Sequence, residues 1–273
     1  MGTKEQMKMS SHVVGIRAVE ALLTHDPERV KQLLHVEQLS GARQRLVERA
    51  TDLTIECIPK TGKHLDTLSD GLRHQGVIAV IASKPEADWR ALISREDALL
   101  VAFDQVTDPR NLGAILRSAE AFGATGAMVT RNRCARPGPV VTRTSAGASE
   151  LMDIAIETNL ARALRQAQEA GAQIIGADLE GSPPDRIDFT GPVVLVIGAE
   201  GQGLRRLTKT VCDQRVRIPI IGATESLNAS VAASILLYEA RRQRDLVTEA
   251  PARTTALEVS EGEELPTLKK TTR

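Results

Sequence analysis

Three short segments in the second half of the chain concentrate the residue types that can do chemistry on a ligand. The first, Asn111-Leu112-Gly113-Ala114-Ile115-Leu116-Arg117, places an amide near a helix start and a guanidinium six residues on. The second, Ile197-Gly198-Ala199-Glu200-Gly201-Gln202-Gly203-Leu204, sets a carboxylate among three glycines at a strand-to-helix turn. The third runs from Ile218-Pro219-Ile220 to Ser226-Leu227-Asn228 and puts a hydroxyl and an amide just before an Ala-rich helix. Each segment alone also fits ordinary capping or a tight turn. Together they offer an amide, a carboxylate, a hydroxyl and an Arg around backbone that a ligand can approach closely, which points to a binding pocket. The glycine order Gly-x-x-Gly-x-Gly is not the dinucleotide fingerprint, and no Gly-Lys-Ser/Thr end makes it a phosphate loop.

Such loops work only if something holds them at the carboxyl ends of strands, where open parallel sheets collect ligands. The hydrophobic pattern predicts strands over 99–103, 127–130, 152–156, 173–177, 193–197 and 215–218, alternating with helices over 111–122, 159–170, 204–212 and 228–244. This βα alternation predicts an α/β domain with a mostly parallel sheet. Asn159 is placed to cap its helix and Gly171 to stop it. Ahead lies a smaller α/β unit over 12–83, with helices over 16–23 and 42–50 and strand-like pieces over 30–36, 53–58 and 77–81. Residues 84–97, with Pro85 and mixed charges, are expected to form a linker, 98–245 the main domain, and 246–273, which lack an apolar period, a disordered tail.

Composition removes several functional classes. Of 273 residues, 42% are apolar and 26% charged, as in a globular protein rather than a disordered, collagen-like or disulfide-stapled one. The 35 basic and 35 acidic side chains cancel, which leaves room only for a local basic face. Arg outnumbers Lys 26 to 9, a bias suited to forked recognition of anions. All five His lie at or before position 74, so a Ser-His-Asp hydrolase confined to the later βα region is excluded. Cys57, Cys134 and Cys212 are too few and too widely spaced for a zinc cluster or a disulfide framework, and no metal site is expected. The apolar runs are shorter than a membrane span and the start is polar, so the expected location is cytoplasmic and away from membranes. Only five aromatic residues are present, too few and too scattered for a platform of stacked bases.

The three segments, in their order and spacing, resemble the motifs of the SpoU (TrmH) family of S-adenosylmethionine-dependent RNA 2'-O-ribose methyltransferases, in the SPOUT superfamily. The likeness extends from about residue 12, through Gly15-Ile16-Arg17 and His74-Gln75-Gly76, to about residue 245. The resemblance implies a SPOUT-type parallel-sheet domain with a C-terminal trefoil knot, preceded by an RNA-binding domain similar to a ribosomal protein. Connection rules alone would argue against a knot. It implies S-adenosyl-L-methionine as cofactor, with Gly198, Ala199, Gly203, Ile218, Ile220 and Leu227 around it, and a homodimer with the site near the interface. It implies catalytic roles for Arg117, Asn111, Glu200, Ser226 and Asn228. A guanidinium keeps its proton, so Arg117 is expected to stabilise developing negative charge rather than act as a base.

Within the family the chain most resembles the enzymes that methylate a guanosine ribose of 23S ribosomal RNA. A tRNA ribose methyltransferase of the same family and a noncatalytic RNA-binding or ribosome-assembly protein stand as alternatives. Arg131, Arg133, Arg136 and Arg143 share a 13-residue span without an acid, and are expected to touch RNA phosphates.

Overall fold

The run Val77–Ala82 is rich in β-branched residues, which pack well on a buried pleated surface, and it becomes the second strand of a small mixed sheet. In the computed structural model, which describes residues 10–260, strands β1 (Ser10–Val14), β2 (Val30–Val36), β3 (Glu56–Lys60) and β4 (Val77–Ala82) lie in the order β1-β4-β2-β3. Strand β4 runs antiparallel to β1 and β2, and β2 runs parallel to β3. Helices α1 (Ile16–His25) and α2 (Ala42–Asp52) bury Val19, Leu22, Leu46 and Ala50 against one face. Helix α3 (Gly62–Leu68) sets Leu65 against Val14, Leu34 and Ile78 on the other. Strand β1 carries no clear sequence signal.

A six-stranded sheet follows, with every pairing parallel: β5 (Leu99–Asp104), β6 (Gly126–Thr130), β7 (Ile154–Glu157), β8 (Gln173–Ser182), β9 (Val193–Gly198) and β10 (Gln214–Val216), in the order β10-β8-β9-β5-β6-β7. The chain builds outward from β5 through β6 to β7, then crosses to the other side, so the order reverses between β5 and β9. Both of these strands are buried along their whole length, as expected of central parallel strands covered on two faces. Helices α5 (Pro109–Ala121) and α10 (Ala229–Ser260) cover one face through Leu112, Ile115, Leu236 and Leu237. Helices α4 (Trp89–Ile93) and α8 (Leu160–Glu169) cover the other through Trp89, Leu92, Leu160 and Leu164. Short helices α6 (Pro139–Thr144), α7 (Ala148–Leu151) and α9 (Arg206–Lys209) complete this domain.

Several boundaries differ from the sequence reading. The expected linker 84–97 carries helix α4, because Trp89 outweighs the polar residues around it and is only 2% exposed in the larger domain's core. The helix expected over 204–212 shrinks to α9, one turn long. Helix α10 continues past 244, so the tail expected from 246 is helical through Ser260. Ala, Leu, Glu and Arg propagate a helix without needing an apolar stripe. Residues 261–273 of that tail lie outside the described residues. The caps agree with the chemistry of their residues: the Asn159 side chain accepts from Arg162 N, and Gly171 takes a φ of +92° just past α8.

The far end of the sheet is fastened by one side chain of α10. Arg244 donates to four backbone carbonyls: Phe189 O from Nε at 3.0 Å, Asp97 O from Nη1 at 2.5 Å, and Ala98 O and Gly191 O from Nη2 at 3.2 and 2.6 Å. These carbonyls lie just before β5 and β9. Arg244→Ala is expected to lower stability by about 2 kcal/mol, since four contacts between α10 and the segments before β5 and β9 are lost together. Urea unfolding measures it, and a change below roughly 0.5 kcal/mol would contradict the role given to Arg244.

Candidate active site

The reversal of strand order places Asp104 beside Gly198 at the carboxyl ends of β5 and β9. From Gly198 the chain makes a narrow loop closed on itself: Ala199 N donates to Gly203 O at 3.1 Å and Gly203 N to Ala199 O at 2.8 Å. A Cβ on Gly198 would stand 2.3 Å from Gly203 C and 2.5 Å from Leu204 N, so only glycine fits there. The loop is tied to the sheet by Asp104, whose side chain is fully buried. Its Oδ2 accepts from Arg205 N at 2.8 Å and its Oδ1 from Arg205 Nε at 2.5 Å.

Glu200 leaves this loop toward two amides from distant segments. Asn111 Nδ2 donates to Glu200 Oε2 at 3.1 Å, Asn228 Nδ2 donates to Asn111 Oδ1 at 3.1 Å, and Asn228 Nδ2 also lies 3.4 Å from Glu200 Oε1. Asn111 is free to do this because Asp108 caps α5 instead, accepting from Arg110 N at 2.8 Å, with Pro109 in the first turn. Asn228 serves twice: its Oδ1 accepts from Ser230 N and Oγ at the start of α10 while its amide nitrogen joins the network. The donors and acceptors interlock, which fixes the orientation of both amides.

Beside the network opens a cleft of ≈ 410 Å³, within the range of small-molecule sites. Strand β8 shapes one wall. Its ladder to β10 jumps from Gly176 opposite Arg215 to Ser182 opposite Val216, and residues 177–180 of the excursion line the cleft. Ile197, Ile218, Ile220 and Leu227 supply apolar surface, and the glycine loop supplies bare backbone. Asp178 holds Lys209 at 2.7 Å on the rim. Burial pushes the Asp178 carboxyl up, but Lys209 and the Glu180 N–H outweigh it and leave the net pKa below the ordinary value. A surface with apolar walls, bare backbone and several carboxylates fits a nucleoside that carries a positive charge, such as S-adenosylmethionine.

All six residues expected around the cofactor, Gly198, Ala199, Gly203, Ile218, Ile220 and Leu227, line this cleft, as do Glu200 and Ser226. Asn111 and Asn228 reach it through Glu200. Arg117 is not brought to it: the residue is exposed on α5, does not line the cleft, and makes no hydrogen bond or ion pair with the described residues. Arg133, Arg136 and Arg143 are likewise exposed and unpaired among the described residues. Arg131 lies 3.5 Å from Glu86, an acid from outside its own acid-free span.

Sequence reasoning passed over Asp104, Arg205, Asp178 and Lys209. A signal existed for Asp104, the single acid ending an otherwise apolar strand, Leu-Leu-Val-Ala-Phe-Asp. Gly198→Ala should force the loop neck open and weaken S-adenosylmethionine binding by about tenfold or more, the cost of a displaced backbone contact. Calorimetry reads it, and wild-type affinity would dissociate the loop from the cofactor.

Comparison with known proteins agrees with this geometry. The SpoU rRNA Methylase family model matches residues 98–238, and the model described as RNA 2'-O ribose methyltransferase substrate binding matches residues 12–87. The chain is 41% identical over 253 residues to the 23S rRNA (guanosine-2'-O-)-methyltransferase RlmB of Coxiella burnetii, covering 90% of this chain and 99% of that protein. It is 40% identical over 247 residues to the RlmB of Pseudomonas aeruginosa, covering 87% and 98%. Among solved structures, the SpoU methyltransferase AviRb from Streptomyces viridochromogenes in complex with AdoMet aligns with a TM-score of 0.72 at 31% identity, covering 89% of this chain and 94% of that one. With the glycine loop and 218–228 lining one cleft, and these relatives matched over nearly their whole length, the chain belongs to the SpoU rRNA methylase family.

Proposed function

We propose that this protein transfers a methyl group from S-adenosylmethionine to the 2'-hydroxyl of a guanosine ribose in 23S ribosomal RNA. The observation that carries the reading is the match to RlmB proteins across nearly their whole length, substrate-binding domain included. The Glu200–Asn111–Asn228 network at the rim of the cleft supports it chemically.

S-adenosylmethionine supplies an electrophilic methyl on a sulfonium when bound. The protein's part is to hold a ribose hydroxyl in line and favour its deprotonation. Glu200 and the two amides set the rim against which the ribose is positioned, and Ser226 adds a hydroxyl on the cleft wall. Arg117 stabilises the developing alkoxide and grips a neighbouring phosphate. Because Arg117 lies off the cleft of its own chain, we place it in the site of a second copy. The exposed Val231, Ile235 and Tyr238 on α10 support a homodimer, since apolar surface on one helix flank favours burial by a partner.

The contact of Asn228, at the end of 218–228, with Glu200 of the glycine loop supports a C-terminal trefoil knot. Two separate sheets support division into a substrate-binding domain over 12–83, similar to a ribosomal protein, and a methyltransferase domain to about 245. Arg133, Arg136 and Arg143, with Arg131, form the basic track for RNA. The reaction belongs where ribosomes are assembled, in the cytoplasm. Among the described residues no helix is long and apolar enough to cross a membrane, and no cluster suited to a metal ion is found.

Incubation with labelled methyl donor and separate pools of unmodified rRNA and tRNA tests the reading. Label should appear on one guanosine ribose of 23S rRNA; label on tRNA alone, or none, would refute it. Arg117→Ala should lower turnover by about 100-fold while donor binding persists. Mixing Arg117→Ala with Asn228→Ala should restore activity that neither has alone, because one site of the mixed dimer is then intact. Absence of restoration would return Arg117 to its own chain's site.

A further inference from the structure

A second cavity, ≈ 600 Å³ and larger than the donor cleft, lies where the two domains meet. It is held open by fastenings rather than left by loose packing. Arg29 donates from Nη2 to Glu150 Oε2 and from Nη1 to Glu150 O, each at 2.9 Å, and from Nε to Ala82 O at 3.2 Å. Lys84 Nζ lies 3.0 Å from Asp153 Oδ1 and donates to Leu151 O at 2.7 Å. Gly147, at φ +97°, lets α7 approach α1 so closely that a Cβ would stand 3.0 Å from that of Ala21. These contacts tie the substrate-binding domain to the methyltransferase domain in one orientation, with the cavity between them.

Each domain supplies apolar surface, Val14 and Leu68 from one and Met152, Ile154 and Ile156 from the other with Pro137 and Pro139, set among polar and charged residues that include Asp70, Glu86 and the Arg29–Glu150 pair. Three charged or titratable side chains line it without a hydrogen bond or ion pair among the described residues: the half-buried imidazole of His12, the exposed guanidinium of Arg136 and the exposed carboxylate of Asp70. Burial holds the His12 pKa below its ordinary value, so near neutral pH the ring offers one donor and one acceptor. The guanidinia of Arg117 on α5, Arg143 on α6 and Arg136 just before α6 are unpaired among the described residues; α5 packs against α6, and Arg136 lines the cavity.

We propose that this junction cavity receives one splayed nucleoside of the substrate RNA, a different nucleotide from the one that is methylated. The proposal rests on the RNA-substrate reading above. Apolar surface from both domains takes the faces of a base, the imidazole or the Asp70 carboxylate reads an edge, and the Arg136 guanidinium takes the adjoining phosphate. In a chain with only five aromatic residues, Pro, Met and Ile surfaces do the work that stacked rings do elsewhere. Clamping a neighbour of the target between domains would also fix the register of the RNA against the donor cleft.

The test uses the full chain and a 23S rRNA fragment that it methylates, substituted with 4-thiouridine or 6-thioguanosine. Irradiation should crosslink the RNA to peptides containing His12, Leu68 or residues 136–139. Leu68→Trp, which fills the cavity, should abolish those crosslinks and weaken RNA binding by about tenfold, the value of one stacked base. His12→Ala, which leaves the walls intact, should weaken binding in the same direction. S-adenosylmethionine affinity serves as the control for folding. Crosslinks confined to other peptides, together with unchanged RNA affinity in both variants, would overturn the proposal while leaving methylation intact. Saturation of the His12 resonances by guanosine monophosphate, without any effect of RNA on them, would assign the cavity to a free nucleotide and equally overturn it. A chain that methylates no RNA at all would instead signal failure of the reading on which the proposal rests.

Discussion

A carboxylate with no exposure to solvent stands at the end of the central strand, and the donor site is hung from it. Burying Asp104 would be costly if it were left alone. Here both its oxygens are taken by one residue, through the backbone N–H and Nε of Arg205. The glycine loop is thereby held at two levels, by its own paired neck and by the floor beneath it. Strands β5 and β9 are rigid because both faces are covered, so the floor itself does not move. The loop can present bare backbone to a ligand because its shape is fixed by groups that face away from the ligand.

The amide network depends on this placement. Glu200 can meet Asn111 only if the loop leaves β9 at the side where α5 begins, and the topology ensures it, because β5 leads directly into α5. Capping roles are distributed so that both amides remain available to Glu200. Asp108 takes the helix start that Asn111 would otherwise serve, and Asn228 caps with its oxygen while donating with its nitrogen. One side chain thus satisfies helix α10 and the site together, and the substitution of either amide removes more than one contact.

The larger domain was legible in the sequence because its strands are short apolar runs set at regular intervals between capped helices. Asn159, Gly171 and the glycine loop stand where local chemistry required. The loops could be grouped because parallel sheets collect their carboxyl-end loops: the residues expected at the cofactor, from the second and third, line one cleft, and Asn111 of the first joins it through Glu200. What escaped was non-local. The ion pair of Asp104 spans about a hundred residues, the partner of Arg131 comes from position 86, and the burial of Trp89 depends on packing from β6 and α8. The place of Arg117 was also illegible: six residues along a helix is about 9 Å of rise and a different face from Asn111. Periodicity reports which face a residue takes, but not what comes to meet it.

Helix α10 joins the two ends of the sheet, with Asn228 just ahead of it in the amide network and Arg244 gripping the carbonyls that precede β5 and β9. During synthesis these residues leave the ribosome only after every strand has emerged. A nascent chain halted before them can pair its sheet, yet it lacks Ser226, Leu227 and the closing amide. Assembly of the donor cleft therefore follows the emergence of every strand, and a product truncated before Ser226 carries a sheet without the means to hold its methyl donor.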